Sequence, residues 1–179
     1  MKHRFLLGLI AGIILTVLLI VGGAYKYFAG GYAPVATAAK PMPFEKTLAG
    51  MALQARIDKE MPKTVPIEAT EANLMAGAAL YQQHCAVCHG LPGAPKTAIA
   101  QGMFPRPPQL FQGKGVTDDE PGETYWKVAN GIRLTGMPGF GSTLKDEQIW
   151  QVSLLLAKAN ELPAPVKSAL MPKDSPAGN

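Results

Sequence analysis

The chain has 179 residues, of which 47% are hydrophobic and 17% are charged, a balance that excludes a wholly disordered protein. Its two cysteines are too few for a disulfide framework. The formal net charge of +4 suggests an anionic partner, but residues 70–163 contain seven Lys and Arg against eight Asp and Glu, a net charge of −1. Because a nucleic-acid-binding protein concentrates basic residues on its folded domain, that class is set aside.

The N-terminal segment has the composition of a membrane-spanning helix. Lys2 and Arg4 are basic, and the stretch from Phe5 to Ala24 carries no charge. Twenty helical residues span about 30 Å, the thickness of a bilayer core. A cleaved signal peptide is the alternative, but its apolar region usually has about 7–15 residues, and here the apolar run continues to Val21. We therefore expect an uncleaved transmembrane anchor over residues 1–28.

The orientation of this anchor follows from its basic start, because cytoplasmic flanks of membrane helices carry an excess of Lys and Arg. We expect the N-terminus in the cytoplasm and the rest of the chain on the periplasmic, extracytoplasmic side of the inner membrane. Residues 29–69 are predicted to be a linker, since Gly and Pro interrupt its start. Phe44, Leu48 and Met51 have helical spacing, which predicts an amphipathic helix over 44–61. This helix could lie on the membrane, on a partner subunit or on its own domain.

The compact domain is expected over residues 70–162. Thr70 is a suitable N-cap for a helix that starts at Glu71. A middle helix is predicted over 122–130 and a final helix over 145–160. Residues 163–179 contain four prolines and little periodicity, which predicts a flexible tail.

The chemistry of the chain is concentrated in Cys85-Ala86-Val87-Cys88-His89. A zinc site would need further ligands, and no second cysteine pair exists. A thioredoxin-like dithiol would follow a strand, whereas a helix is predicted before this motif. Two thiols three residues apart, followed directly by histidine, are the attachment signal of c-type haem. The motif predicts one covalent haem c, with thioethers at Cys85 and Cys88 and His89 as the proximal axial ligand.

A second axial ligand is expected from a methionine. Met137 stands between Gly136 and Pro138, in an irregular loop that can direct one side chain at the iron. Met103 is the other methionine near the motif and could cover the haem edge. His84 is discounted, because it shares a short helical stretch with His89 and cannot reach the opposite haem face. The predicted iron ligands are therefore His89 and Met137.

The stretch 70–162 resembles a class I, mono-haem cytochrome c domain. The resemblance implies an all-α fold of three to four helices around one covalently bound haem, here preceded by one transmembrane helix. It rests on the following residues: Gly77-x-x-Leu80-Tyr81 before Cys85-x-x-Cys88-His89-Gly90, Asn130-Gly131 ahead of Gly136-Met137-Pro138, and a final helix with Trp150.

The resemblance also implies roles for several other residues. Gly77 would permit close approach of the last helix. A proline carbonyl, at Pro95 or otherwise Pro92, would accept a hydrogen bond from the proximal histidine. Arg106 and Trp126 would contact the haem propionates. The family often has an aromatic residue on the last helix where this chain has Leu154 or Leu155, and Trp150 is expected to compensate for its absence.

Such a site predicts one-electron transfer rather than enzymatic turnover, because both axial positions belong to the protein. We expect redox proteins as donor and acceptor, no nucleic acid and no small-molecule substrate. The domain could be a tethered carrier or the cytochrome subunit of a respiratory dehydrogenase or oxidase complex. The alternatives are a haem enzyme such as a peroxidase, or a haem-based sensor in which Met137 is displaceable.

Overall fold

The fold is known from a computed structural model, which describes residues 2–111 and 119–171. The chain divides into two compact units, Met1–Glu45 and Lys46–Asn179, which are described separately. The described residues contain helices and no strands, which confirms the predicted all-α class. The helices are α1 Lys2–Ala29, α2 Glu45–Glu60, α3 Glu71–His84, α4 Ala86–His89, α5 Ala98–Gly102, α6 Pro121–Asn130, α7 Asp146–Ala157 and α8 Ala164–Leu170.

The first unit is dominated by α1, which has 28 residues and none of them buried. A stretch of 18 residues within it has a mean hydropathy of 2.9, so the helix is long and apolar enough to cross a membrane. The hydroxyl of Thr16 donates a hydrogen bond to the Gly12 carbonyl at 2.8 Å. This polar group is therefore satisfied within the helix, as an apolar environment requires.

The second unit is organised by the contact between α3 and α7. α3 begins as predicted, because the Thr70 hydroxyl accepts a hydrogen bond from the Asn73 N–H at 3.2 Å. A Cβ atom on Gly77 would lie 2.3 Å from the Gln151 carbonyl oxygen, so the two backbones touch at this point. The glycine thus allows the close approach that the resemblance implied. The shared core comprises Leu74, Ala78, Tyr81, Val152, Leu154, Leu155, Leu156, Leu162, Val166 and Leu170.

The aromatic side chain of α7 packs against α6 rather than α3. Trp150 is buried and stacks on Tyr125, with ring centroids 4.3 Å apart and an interplanar angle of 25°. The Tyr125 hydroxyl donates a hydrogen bond to Asp146 at the start of α7. Leu154 and Leu155 fill the core beside α3 without an aromatic residue. Trp150 therefore fixes the α6–α7 pair, a different contact from the compensation we expected.

The predicted flexible tail is partly wrong, because residues 164–170 form α8. Val166 and Leu170 are fully buried, and the Gln82 amide donates a hydrogen bond to the Ala169 carbonyl. The prolines at 163 and 165 stand at the beginning of this helix, where proline is well tolerated because the first N–H groups have no helical acceptor. The remaining tail, residues 172–179, lies outside the described part.

The predicted linker is also partly wrong. α2 forms close to the expected bounds, but Ile57 is fully buried. The Trp126 indole N–H donates a hydrogen bond to Glu60 at 3.2 Å. A Cβ atom on Gly122 would lie 2.0 Å from the Pro62 carbonyl oxygen, so this stretch touches α6. The folded domain therefore begins at about α2, well before residue 70, while the predicted apolar positions Leu48 and Met51 stay exposed.

Substituting Gly77 tests the α3–α7 contact. Gly77→Ala is expected to lower the free energy of unfolding by about 1–3 kcal/mol, because the added methyl group meets backbone that must move. The control is Gly50→Ala in α2, where an added Cβ meets nothing within 4 Å. There, alanine is expected to stabilise by roughly 0.5–1 kcal/mol. Denaturant unfolding in detergent measures both variants, and equal effects would contradict the close contact.

Substituting Ile57 tests whether α2 belongs to the folded domain. Ile57→Ala is expected to cost about 2–5 kcal/mol, since it leaves a cavity. Leu48→Ala on the same helix is the control, with an expected change within about 0.5 kcal/mol because Leu48 is exposed. The measurement is denaturant unfolding of the detergent-solubilised protein. If Ile57→Ala were as mild as the control, α2 would be a linker element after all.

Candidate haem site

The Cys-x-x-Cys-His motif forms a tight helical turn at the end of α3. The Cys85 N–H caps α3 by bonding to the Tyr81 carbonyl, and α4 follows directly. The backbone N–H groups of Cys88 and His89 both bond to the Cys85 carbonyl, at 3.1 and 2.9 Å. Residues at i, i+3 and i+4 share one helix face, so both thiols and the imidazole are presented together.

A buried tyrosine holds this turn in place. The Tyr81 hydroxyl donates a hydrogen bond of 2.7 Å to the carbonyl of Gly90, the residue directly after the motif. Gly90 has φ +75°, a left-handed conformation suited to glycine, and it ends α4. The ring of Tyr81 meets that of Phe111 edge to face, with centroids 5.0 Å apart. Burial raises the pKa of Tyr81, so its hydroxyl stays protonated and remains a donor.

The histidine of the motif is oriented by Pro108. Its Nδ1 atom lies 2.8 Å from the Pro108 carbonyl oxygen. A carbonyl can only accept a hydrogen bond, so Nδ1 carries the proton and the Nε2 lone pair remains for a metal. Burial lowers the pKa of His89, while the bond to Pro108 acts in the opposite direction. The net direction favours the neutral imidazole, which is the ligating form.

The prediction of Pro95, or otherwise Pro92, as this acceptor is therefore wrong. The segment after Gly90 turns back on itself, with an Ala94 N–H to Leu91 carbonyl bond of 3.1 Å. The Ala94 carbonyl accepts a hydrogen bond from the Gln109 amide. This turn is therefore tied to Gln109, and the later proline run 105–108 lines the pocket instead.

The loop that carries Met137 is fixed against α6. The Ile132 N–H bonds to the Met137 carbonyl at 3.2 Å, and the Met137 N–H bonds to the Thr135 hydroxyl at 3.1 Å. Gly131 has φ +69°, and a Cβ atom on Gly139 would lie 2.7 Å from the Asn130 carbonyl. Glycine is required at both places, one for its conformation and one for the close approach. The loop therefore holds the methionine in a defined position.

These elements enclose an apolar pocket of about 700 Å³, part of it open to solvent. Met103 lines it beside Met137, and its methyl group lies against Gly136. Burial, with a smaller contribution from the neighbouring Cys88, raises the pKa of Cys85 to about 12, so this thiol is neutral at physiological pH. The lining includes His84, Cys85, Cys88, His89, Met103, Arg106, Pro108, Val128, Ile132, Met137 and Phe140.

The structure brings most predicted site residues to this pocket, but not all. Cys85, Cys88, His89 and Met137 line it, and so does the exposed Arg106. Trp126 is absent from the described lining, and its indole bonds to Glu60 of α2 instead. The predicted propionate contact of Trp126 therefore receives no support from its position.

Two further features of the pocket were not predicted from the sequence. Pro108 acts through its backbone carbonyl, which leaves no side-chain signature. The run Pro105-Arg106-Pro107-Pro108 was nonetheless a usable signal, since consecutive prolines lack N–H groups and leave their carbonyls without local donors. Val128, near the end of α6, and Ile132, two residues after the helix, form part of the apolar lining.

Two thiols, an imidazole with a free Nε2 and a methionine thioether in one apolar pocket fit a covalent haem with His and Met ligation. This combination of fold and donor set is typical of c-type cytochromes. Residues 72–154 match the family described as cytochrome c oxidase, cbb3-type, subunit III. Residues 72–154 are therefore similar to a c-type cytochrome domain, a class of domain that transfers electrons.

A curated relative is the quinohemoprotein alcohol dehydrogenase ADH IIB of Pseudomonas putida, which is 32% identical over 89 residues. The match covers 50% of this chain and 11% of the relative, so the chain spans about a tenth of that protein's length. Among solved structures, a chain of the reducing HAO-like protein complex of Kuenenia stuttgartiensis has a TM-score of 0.48 and 20% identity. That alignment covers 75% of this chain and 54% of the other.

Removing both thiols tests covalent attachment. In the Cys85→Ala, Cys88→Ala variant, haem staining of a denaturing gel is expected to disappear, because no thioether can form. Val87→Ala is the control, since Val87 lies between the thiols and is half exposed. It should keep full haem staining. Haem that stays with the denatured double variant would contradict the site.

Proposed function

We propose that the protein is a membrane-anchored electron carrier with one covalent haem c on the extracytoplasmic side of the inner membrane. The observation that carries this proposal is the pocket, in which Cys85, Cys88 and His89 on one helical turn face a cavity also lined by Met137. Cys85 and Cys88 would form the thioethers, and His89 and Met137 would ligate the iron. A haem bound in this way supplies reversible one-electron chemistry.

The chain's own residues favour electron transfer over substrate chemistry. The bond from Nδ1 to Pro108 directs the second nitrogen of His89 toward the pocket and strengthens it as a donor. The hydrogen-bonded Met137 loop holds a thioether that would be the second iron ligand. With both positions filled from the protein, a substrate would have to displace a ligand before it could bind iron. Methionine ligation and an apolar lining both raise the reduction potential.

The alternative functions are a peroxidase-like haem enzyme and a haem-based sensor. Both require that Met137 leaves the iron readily. The hydrogen bonds of the Met137 backbone to Ile132 and Thr135 oppose such movement, because displacement would disturb the loop. These contacts support the carrier over either alternative.

The membrane anchor is proposed from α1. Its 28 residues are unburied, and the basic residues Lys2 and Arg4 at its start precede an uncharged stretch from Phe5 to Ala24. Basic residues favour the cytoplasmic side, which would put the haem domain outside. A haem c domain is compatible with this side of the membrane.

The short connector between the proposed anchor and the haem domain favours a redox partner in the same membrane. The connector between α1 and α2 has 15 residues, 30–44, because α2 is packed on the domain rather than free. A flexible coil of that length has an end-to-end distance of about 21 Å. We therefore favour a cytochrome that serves redox proteins in the same membrane, as a subunit of or close neighbour to a dehydrogenase or oxidase. The similarity to part of a quinohemoprotein dehydrogenase agrees with such a partner.

Replacing each of the two pocket methionines with alanine tests the proposed function. Met137→Ala is expected to remove the sulfur-to-iron charge-transfer band, to lower the reduction potential and to let added imidazole bind. Met103→Ala is the control and should keep the band and the potential near wild type. The measurements are optical spectra and a redox titration of the purified holoprotein. If Met103→Ala loses the band and Met137→Ala keeps it, the ligand assignment is wrong. Imidazole binding to the unmodified protein as readily as to Met137→Ala would favour the enzyme or sensor.

A further inference from the structure

Helix α2 carries an apolar face that its own domain does not cover. Ile57 is fully buried and Leu53 is half-buried, so this side of the helix rests on the domain. On the other side, Leu48 is 64% exposed and Met51 is 65% exposed, with Ala55 also exposed. Residues 48, 51 and 55 are spaced by three and four, so they form one line along the helix. We name Leu48, Met51 and Ala55 the outer stripe.

We infer that the outer stripe lies on the surface of the lipid bilayer that α1 crosses. This inference rests on the proposed membrane anchor. It adds that the haem domain is held against the bilayer through α2, in one orientation, rather than hanging freely on its connector.

The short connector after α1 keeps α2 close to the bilayer. Residues 30–44 separate the end of α1 from α2, and even fully extended they span about 50 Å. Tethering on this scale turns the encounter with lipid into an intramolecular event with a high effective concentration. A modest apolar contact is then sufficient to keep the helix at the surface. A free protein would need a much larger apolar area.

The composition around the outer stripe also suits a lipid surface. Leu and Met are side chains that enter the boundary between headgroups and acyl chains. α2 itself has no net charge, but the flanking Lys40 and Lys63 bring segment 40–63 to five basic and three acidic residues, a net charge of +2, which favours anionic headgroups. The basic residues are Lys40, Lys46, Arg56, Lys59 and Lys63, and the acidic ones are Glu45, Asp58 and Glu60.

The size of the outer stripe argues against a stable protein partner at this place. A specific protein interface generally buries more than about 1,000 Å² with good complementarity. The outer stripe has only two large side chains, which is too little for such an interface. A protein that covers it is nevertheless a distinct outcome of the test below.

Both ends of α2 are fixed to the haem domain, so docking would orient the pocket. Near its start, the Lys46 ammonium lies 5.6 Å from the centroid of the Phe104 ring, next to the pocket residue Met103. At its end, Glu60 accepts the Trp126 indole hydrogen bond. Contact of the outer stripe with lipid would therefore set the direction of the haem pocket relative to the membrane.

Site-specific fluorescence quenching tests the inference on the full-length holoprotein. The protein is reconstituted in vesicles of phosphatidylethanolamine and phosphatidylglycerol. A cysteine is introduced at Leu48 or Met51, with Ala49 and Gln54 as control positions on the flanks of α2, and is labelled with bimane. The native Cys85 and Cys88 are expected to be occupied by thioethers.

The expected result is strong quenching at 48 and 51 by nitroxide-labelled lipid and weak quenching by aqueous iodide, with the reverse at 49 and 54. Quenching by iodide at all four positions would overturn the inference, since the outer stripe would then lie in water. Protection at 48 and 51 from both quenchers would overturn it too, because a protein would cover the stripe.

A matched pair of charge substitutions gives a second test. With the label at Met51, Leu48→Glu is expected to abolish quenching by the labelled lipid, while Ala49→Glu is expected to preserve it. Both positions are exposed, so the haem spectrum should be unchanged in each. Equal lipid quenching in the two variants would contradict docking through the outer stripe.

Alkaline carbonate extraction separates failure of the anchor from failure of docking. If the wild-type protein leaves the vesicles, the proposed membrane anchor is wrong, and the inference falls with it. If the protein remains in the vesicles while positions 48 and 51 are quenched by iodide, the anchor stands and only the docking is wrong.

Discussion

The candidate haem pocket depends on the single helical turn that presents Cys85, Cys88 and His89 together. Tyr81 fastens one end of this turn through its bond to the Gly90 carbonyl, and Pro108 fixes the imidazole from the other side. Tyr81 is a fully buried residue of α3, and the backbones of α3 and α7 touch at Gly77. The helix pair therefore acts as the support of the motif. The packing of α3 against α7 therefore holds the side chains of Cys85, Cys88 and His89 in defined directions.

The family match covers residues 72–154, and the folded domain extends beyond it on both sides. α2 precedes the match and α8 follows it, and each buries apolar side chains against the domain. α8 covers α3 with Val166 and Leu170, while α2 reaches the pocket loop through Lys46 and Phe104. These two helices enlarge a small core around the cytochrome fold. In our proposal, α2 also holds the haem domain against the bilayer.

The parts of the fold that sequence could predict are those with local signals. Thr70 marked the start of α3, and the spacing of the Cys-x-x-Cys-His motif indicated the pocket. The burial of Ile57 could not be predicted, because α2 carries apolar residues on two sides and periodicity does not say which one is covered. From the sequence, Pro163 and Pro165 suggest a loop. Only the structure shows that they stand at the start of a helix, where proline is well tolerated. Pro108 was missed because a backbone carbonyl has no residue-type signature.

We propose that the protein itself would supply both ligands of the haem iron, one nitrogen from His89 and one sulfur from Met137. The most direct measurement is iron K-edge X-ray absorption of the purified full-length holoprotein in both oxidation states. One sulfur neighbour beside nitrogen neighbours is expected in both the oxidised and the reduced protein. A shell of nitrogen alone, or a neighbour that is lost on reduction, would contradict it.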